Sequence, residues 1–368
     1  MMNISITILF AYRNREVSRI RSSMHSLQQQ SNTNFKVLFI DYGSDADYAN
    51  AVKKVLSQFD FATYIYIGHT GLLWNKSKAL NYGITQALTQ YVVIADVDVL
   101  FTADFIETLS RLATANTYSL FKIGYLSEQV TKQQQKTLNL KAVQTTHIGD
   151  TFGIGLYPKA LLETVGGLDE FFHFYGSEDE DLNARIEQSG AKLNKCNEVL
   201  LYHQWHPRYP QKKDNKLTQE PRLTNVLRLN QRHFLQNSNR AIVFSNHKKG
   251  GRYYKNEDLL RLKTTNTTIK ITNIAAHVIH FLEEELPKHY KGIVEVQFQE
   301  DNYVNTIKYK AKKSLGKQTQ PYLTMKAVND LILRQIVFRY RHCNYMYSIS
   351  ENLKTIHFVI DLDSELIL

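Results

Sequence analysis

The feature that most constrains this chain is the run Tyr91-Val92-Val93-Ile94-Ala95, followed at once by Asp96-Val97-Asp98. A short apolar run rich in β-formers has the pattern of a strand buried on both faces, and such strands belong to largely parallel sheets covered by helices. The segments before it agree. Ile4 to Phe10 reads as a first strand, the polar turn Tyr12 to Glu16 leads into a helix through about Gln30, and Phe35 to Ile40 is a second strand ending at Asp41. A helix from Ala46 to Gln58, a strand from Thr63 to Ile67 and a helix carrying Ala79, Leu80, Tyr82 and Ile84 complete the series. Alternation of this kind predicts an α/β domain.

Beyond Phe101 the pattern loosens into a helix near Phe105 to Ala115, a Gln-rich helix near Gln129 to Lys136, a Gly-containing stretch from Gly149 to Gly155, an acidic helix from about Glu178 to Gly190 and a strand ending near Tyr202. His206 to Arg222 has the composition of a long mobile loop, with Lys212 and Lys213 solvated. A length of 368 residues allows two domains. The polar break between Asn237 and Lys255 divides residues 1–238 from a smaller α+β domain at 239–368. There the pattern predicts a strand at Ile269 to Ile271, a helix near Ala275 to Leu286, two strands within Gly292 to Lys310, a helix around Thr324 to Arg341 and a strand from Ile356 to Leu362. This second region carries no chemical motif.

Charge and cysteine content limit the setting. Lys and Arg number 45 against 35 Asp and Glu, a net charge of +10 that favours anionic neighbours without choosing among them. Two cysteines, Cys196 and Cys343, make no disulfide framework and suit a reducing compartment. The apolar stretch Ile4 to Ala11 is far short of the ~20 residues that span a bilayer, so any membrane contact is expected to be peripheral.

Acidic and basic groups concentrate in a few places. Asp96 and Asp98 follow a buried strand, where open α/β sheets place ligands; if the backbone stays extended both carboxylates lie on one side and can hold a divalent cation with its diphosphate. Glu178-Asp179-Glu180-Asp181 opens a helix after Gly176-Ser177. Capping by Ser177 accounts for some of this charge; four successive acids exceed it, which leaves room for a general base. His203 and His206 close a strand and offer imidazole ligands, although one could be a plain loop residue. Asn75 to Asn81 starts a helix with Lys76 and Lys78, suited either to a phosphate or to ordinary solvation.

Together these segments resemble the GT-A glycosyltransferases over roughly residues 3 to 235. Phe10 to Glu16, Asn75 to Asn81, Asp96-Val97-Asp98 and Gly176 to Asp181 are similar, in sequence order, to nucleotide-sugar segments of the β-1,4-galactosyltransferases. Val165-Gly166-Gly167-Leu168-Asp169-Glu170 and Tyr202-His203-Gln204 look like bacterial family 2 enzymes, including the chondroitin polymerases, and Ile40 to Ser44 is similar to their strand-end segment for the nucleoside. The resemblance implies that Ala11, Arg13, Asp41 and Ser44 face uridine, that Lys78 lies near the diphosphate and that Asp96 meets the ribose or metal side. It further implies that Asp98 and His203 ligate manganese or magnesium, that Glu178 and Asp179 face the acceptor, and that Asp179 is the general base of an inverting transfer. The expected partners are a UDP-sugar, with galactose or N-acetylgalactosamine preferred, and a glycan or lipid-linked glycan acceptor. The alternatives are a basic nucleic-acid-binding protein, suggested by the net charge of +10, and a non-catalytic glycan-binding relative; in the enzyme reading no nucleic acid is expected, the oligomeric state is open, and the expected setting is cytoplasmic, at bacterial surface-polysaccharide synthesis. Where galactosyltransferases are Trp-rich at the acceptor, this chain has Phe171-Phe172-His173-Phe174-Tyr175, which leaves donor sugar and acceptor open.

Overall fold

The computed structural model describes residues 5–209, 211–244, 254, 256–265 and 268–365. Its chain divides into two compact units: residues 1–68, 74–208 and 227–253, and residues 69–73, 209–226 and 254–368.

The first unit is built on an eight-stranded sheet. In chain order it runs β1 (Ile6–Tyr12), α1 (Val17–Gln28), β2 (Phe35–Tyr42), α2 (Ala46–Leu56), β3 (Ala62–Ile67), α3 (Lys76–Gln86), β4 (Tyr91–Ala95) and β5 (Val99–Phe101). Then come α4 (Phe105–Leu112), β6 (Thr117–Tyr125), α5 (Glu128–Lys136), β7 (His147–Pro158), α6 (Lys159–Thr164), α7 (Glu178–Gln188), β8 (Lys192–His203) and α8 (Val226–Asn239). The strand order is β3-β2-β1-β4-β7-β6-β8-β5. β3, β2, β1 and β4 are mutually parallel, while β7 runs antiparallel to β4 and β6. β4 and β5 are separated by only Asp96, Val97 and Asp98, yet β4 is central and β5 is an edge strand paired with β8. Three residues cannot cross a flat sheet of that width, so the sheet curls and brings its edge back toward its middle.

Strand periodicity explains why this sheet has helices on both sides. In β1, Ile6, Ile8 and Phe10 enter one core with Ile20, Met24 and Leu27 of α1 and Val52 and Val55 of α2, whereas Leu9 enters the other with Leu80 and Ile84 of α3. β4 divides likewise, Val93 and Ala95 to the first core and Val92 and Ile94 to the second. Each large apolar side chain so buried contributes about 1.5–3 kcal/mol. The doubly buried central strand is the one the sequence pattern predicted. α3 lies close on the sheet because Gly83 carries no side chain: a Cβ there would meet Leu9 Cδ2 at 3.1 Å and Ile40 Cγ1 at 3.3 Å.

The second unit carries a four-stranded sheet of order β11-β12-β10-β9. Its elements are α9 (Asn256–Leu262), β9 (Thr268–Thr272), α10 (Ala275–His280), α11 (Leu286–His289), β10 (Ile293–Gln299), α12 (Ile307–Ser314), α13 (Met325–Gln335), β11 (Asn344–Ile349) and β12 (Thr355–Asp361). A π-helical turn over Phe281–Glu285 joins α10 to α11.

Several expectations change. Between Gly292 and Lys310 there is one strand, not two, because the alternation ends at Gln299 and Thr306 caps α12 by accepting the Tyr309 N–H. The Gly149–Gly155 stretch lies inside β7, and β11 was absent from the sequence reading. His206 to Arg222 has few regular elements but is tied down. Asp214 is buried, accepts from Tyr209 Oη at 2.9 Å and from Arg222 Nη1 at 3.4 Å, and Lys326 Nζ donates to Arg222 O at 2.6 Å. Much of the Asn237–Lys255 break lies outside the described residues.

Candidate functional site

Pairing register places the sequence-derived residues at one end of the parallel strands. Tyr12 of β1 lies opposite Asp41 of β2, and Phe10 lies opposite Ala95 of β4, so Arg13, Asp41 and Asp96 all sit at or just past carboxyl ends. Open α/β sheets bind ligands along such an edge.

Asp41 and Ser44 organise the loops there. Ser44 N–H donates to Asp41 Oδ1 at 2.9 Å and Tyr64 Oη donates to Asp41 Oδ2 at 2.8 Å, so both oxygens of this fully buried carboxyl are engaged. Burial pushes its pKa up against the opposing pull of those bonds and of Arg13. Ser44 Oγ accepts the Asn14 N–H at 3.0 Å, and the Asn14 side chain exchanges two 2.9 Å hydrogen bonds with Asp45. Asn14 adopts φ of 48°, a left-handed conformation that Asn tolerates well. Ala11 and Arg13 are half-buried beside this cluster.

Asp96 and Asp98 point to different partners. Val97 and Asp98 form a turn closed by Val99 N–H to Asp96 O at 3.3 Å, so the expectation of an extended backbone with both carboxylates on one side does not hold. Asp96 Oδ1 accepts from Lys76 Nζ at 2.9 Å. Asp98 instead reaches β8, because Val99 pairs with His203 and Gln204 N–H extends the ladder to Asp98 O at 2.9 Å. His203 Nε2 lies 3.7 Å from Asp98 Oδ1 and His206 Nε2 lies 3.1 Å from Oδ2. Gln204 is buried between the histidines and anchors them, its Nε2 donating to Arg19 O at 2.9 Å.

One oxygen of Asp98 and one nitrogen from each of His203 and His206 lie within 4.8 Å of one another. A carboxylate with two imidazoles fits a manganese-class cation, whereas an all-oxygen cage would suit calcium or magnesium better. Burial would raise the Asp98 pKa, but the hydrogen bond from His206 and the charges of His203, His206 and Arg19 outweigh it and hold the carboxyl at about 2. The same hydrogen bond, with the Asp98 charge, raises the His206 pKa against the opposing pull of burial and Arg19. The sequence reading set His203 above His206; the structure brings both to Asp98.

The acidic helix start resolves into four different environments. Ser177 does not cap α7: it has φ of 67°, and its Oγ donates to Glu180 Oε2 at 3.0 Å. Glu178 Oε1 lies 3.5 Å from Lys76 Nζ. Asp181 is buried, accepting from Arg185 Nε at 2.7 Å and Asn237 Nδ2 at 2.8 Å. Among the described residues no cation lies within ion-pair distance of Asp179, and Lys76 acts on it only from farther off. Its Oδ2 stands 3.0 Å from where a Cβ on Gly153 would be, and burial followed by the Glu178 charge pushes its pKa up to about 7, with Lys76 pulling the other way. Dispersal of partners is why four acids can share one helical turn.

The sequence offers Lys76 only as a lysine for a phosphate or for solvation; the structure gives it carboxylate partners instead. It lies among Asp96, Glu178 and Asp179; burial alone would lower its pKa, but those carboxylates raise it, so it stays charged. Asn75 fixes the helix start by accepting Lys78 N–H at 2.9 Å and donating to Glu170 O at 2.8 Å. Lys78, which the sequence reading placed near a diphosphate, is buried. Helical spacing alone carries the distinction, since residues two apart on a helix face different ways. Phe152, Tyr175 and Trp205 are large exposed aromatics near the ends of these segments.

Comparison with known proteins finds two family matches and several similar solved structures. Residues 7–158 match the family Glycosyl transferase family 2, and residues 137–206 match the family N-terminal domain of galactosyltransferase. No curated protein matches the chain in sequence. Solved structures similar to it include a mannosyltransferase, PcManGT, from Pyrobaculum calidifontis in complex with GDP-Man and Mn2+, at 17% identity and TM-score 0.41, covering 57% of this chain and 59% of that one. Others are TarS of S. aureus, at 15% identity and TM-score 0.42, covering 58% of this chain and 38% of that one, and GalNAc-T7 with UDP, GalNAc and Mn2+. The last has 12% identity and TM-score 0.43, with 56% and 44% covered. The matched part is thus less than two thirds of each of those chains.

Proposed function

This chain carries a GT-A glycosyltransferase domain of the family 2 kind, and from that premise we propose that it is an inverting, metal-dependent enzyme that moves a sugar from a UDP-sugar to a glycan acceptor. The observation that supports the reading is a carboxylate and two imidazoles close enough to share a cation, Asp98 with His203 and His206, together with a separate carboxylate, Asp179, whose pKa is raised to about 7. A base to take the acceptor proton and a cation to neutralise the leaving diphosphate together suit an inverting transfer.

In this reading Ala11, Arg13 and Ser44 line the uridine side, and Asp41 acts by holding Ser44 and the loop in place. Asp96 lies toward the ribose and Lys78 holds the start of α3 beneath the diphosphate, while Lys76 fixes Asp96 and Glu178 relative to one another. A bound manganese or magnesium ion would supply positive charge to the leaving diphosphate. Asp179 takes the proton of the acceptor hydroxyl as that oxygen forms its bond to the anomeric carbon and the bond to UDP breaks on the opposite face. Glu178 orients the acceptor and keeps Asp179 basic through repulsion.

Galactose or N-acetylgalactosamine is the preferred donor sugar, from the match at residues 137–206. The acceptor is a glycan or lipid-linked glycan in surface polysaccharide synthesis, met in the cytoplasm at the membrane's inner face. Among the described residues no helix is long and apolar enough to cross a membrane. Isothermal titration with UDP, GDP and CDP in the presence of manganese tests the donor class. UDP is expected to bind, and binding of GDP alone would overturn the assignment.

A further inference from the structure

The second unit contains a helix with no buried residue. α12 (Ile307–Ser314) is held by the half-buried Tyr309, whose ring lies 5.6 Å from Tyr303 and 5.6 Å from Tyr322 between centroids. Ile307, Ala311 and Leu315 are spaced by four residues and so share one face, while Tyr309 lies two residues on and points away from it. The anchoring ring is therefore on one side of α12 and an apolar stripe is on the other. Ile307 is 86% exposed and Leu315, at the C-terminal cap, 70% exposed. Isolated apolar residues on a surface are common, but two of this size in one stripe on a helix that buries nothing are not explained by packing.

The surroundings of the stripe choose the occupant. Lys308 and Lys312 flank it on one side and Lys310 on the other, with Lys313 and Lys317 nearby. Between Asn302 and Leu323 there are five lysines and no acidic residue. An outward apolar stripe edged by lysines is the arrangement with which a helix lies in the headgroup layer, its apolar side chains sunk toward the acyl chains and its ammonium groups on lipid phosphates. A partner protein with an apolar groove would meet the stripe, but nothing in such a groove calls for lysines on both flanks.

We propose that α12, through Ile307, Ala311 and Leu315 and their flanking lysines, docks this protein on an anionic lipid surface. This deepens the encounter with a lipid-linked acceptor proposed above; it rests on that reading for its purpose and on α12 alone for its support.

The test is co-sedimentation with phosphatidylcholine vesicles and with vesicles of phosphatidylcholine and phosphatidylglycerol, beside UDP titration without vesicles. The full chain is expected to bind the anionic vesicles only. Lys308→Gln with Lys312→Gln should weaken that binding about 25-fold, at about fivefold for each lysine's ~1 kcal/mol, and Ile307→Ser with Leu315→Ser should weaken it as well. Both double variants change exposed side chains and should bind UDP like the parent, which separates failure of this surface from failure of the donor reading. Equal binding to neutral vesicles, no binding to either, or anionic binding that survives either double variant would overturn the proposal. So would loss, in the lysine variant, of duplex-oligonucleotide binding with vesicle binding intact.

Discussion

The role of general base proposed for Asp179 depends on what surrounds it. Burial and Glu178 raise its pKa to about 7, and Lys76 restrains the rise. A base must be deprotonated to work, so kcat/KM is expected to fall as pH drops below about 7, and a pH–rate profile checks this. Removing the opposing charge in Lys76→Met should move that acidic limb to higher pH, since the ammonium no longer favours the carboxylate. Asp179→Asn nearly preserves shape and should cost about 100-fold to 10,000-fold in turnover with UDP binding retained; near-normal transfer would point to Glu178 instead. The sequence made the acids visible but not their separate fates. Four carboxylates in a row look alike until Arg185, Ser177 and Lys76 each engage one and leave Asp179 with a carboxylate neighbour. Lys76 and Lys78 are likewise equivalent as letters, and only the helix phase separates a lysine among carboxylates from a buried one.

At the scale of elements, the site depends on two close approaches. The short β5 pairs with the end of β8 and so delivers Asp98 to His203 and His206. β7 meets the start of α7 at Gly153, where a Cβ would lie 3.0 Å from Asp179 Oδ2. Gly153→Ala must push the Asp179 carboxylate by a few tenths of an ångström, and we expect turnover to fall by about 10-fold to 100-fold with UDP affinity unchanged, because misplacement near 1 Å can cost ~100-fold. Titration and steady-state kinetics on one sample distinguish this from general misfolding. Elements with strong local periodicity were legible: β4 has the bounds its sequence pattern indicates, and α1 to α3 differ from theirs mainly at the ends. β11, which forms a hairpin with the adjacent β12, was not, and neither was the single strand between Gly292 and Lys310, whose partners β9 and β12 lie far from it in sequence. The turn at Val97 and Asp98 was hidden for the same reason: pairing with β8, not local preference, ends the extended run.

For the whole molecule, the sequence break near Ser238 and the compact units differ in which segments they join. Residues 69–73 and 209–226 group with the C-terminal part, and within that unit Tyr347 N–H donates to Gly71 O at 2.9 Å and Leu73 N–H to Tyr345 Oη at 3.2 Å. A cut after Ser238 removes β11 and α13 and strands both segments. At least six hydrogen bonds tie those two segments to the removed part, and at about 1 kcal/mol each the remaining chain is expected to melt about 12–24 °C lower than the same domain in the full protein. Differential scanning calorimetry reads this directly, and unchanged melting would mean that 1–238 folds independently. A composition shift marks where the chain changes character, but it cannot report short segments that cross between units.

We propose that Asp98, His203 and His206 hold a cation that activates a UDP-sugar while Asp179 activates the acceptor. The measurement that tests it most directly is UDP release from a panel of UDP-galactose, UDP-N-acetylgalactosamine, UDP-glucose and UDP-N-acetylglucosamine, with and without manganese, in the parent and in Asp98→Asn. Release is expected from at least one galacto-configured donor, abolished by chelation, restored by manganese in the parent and not restored in Asp98→Asn. Release that ignores chelation and survives Asp98→Asn would contradict it.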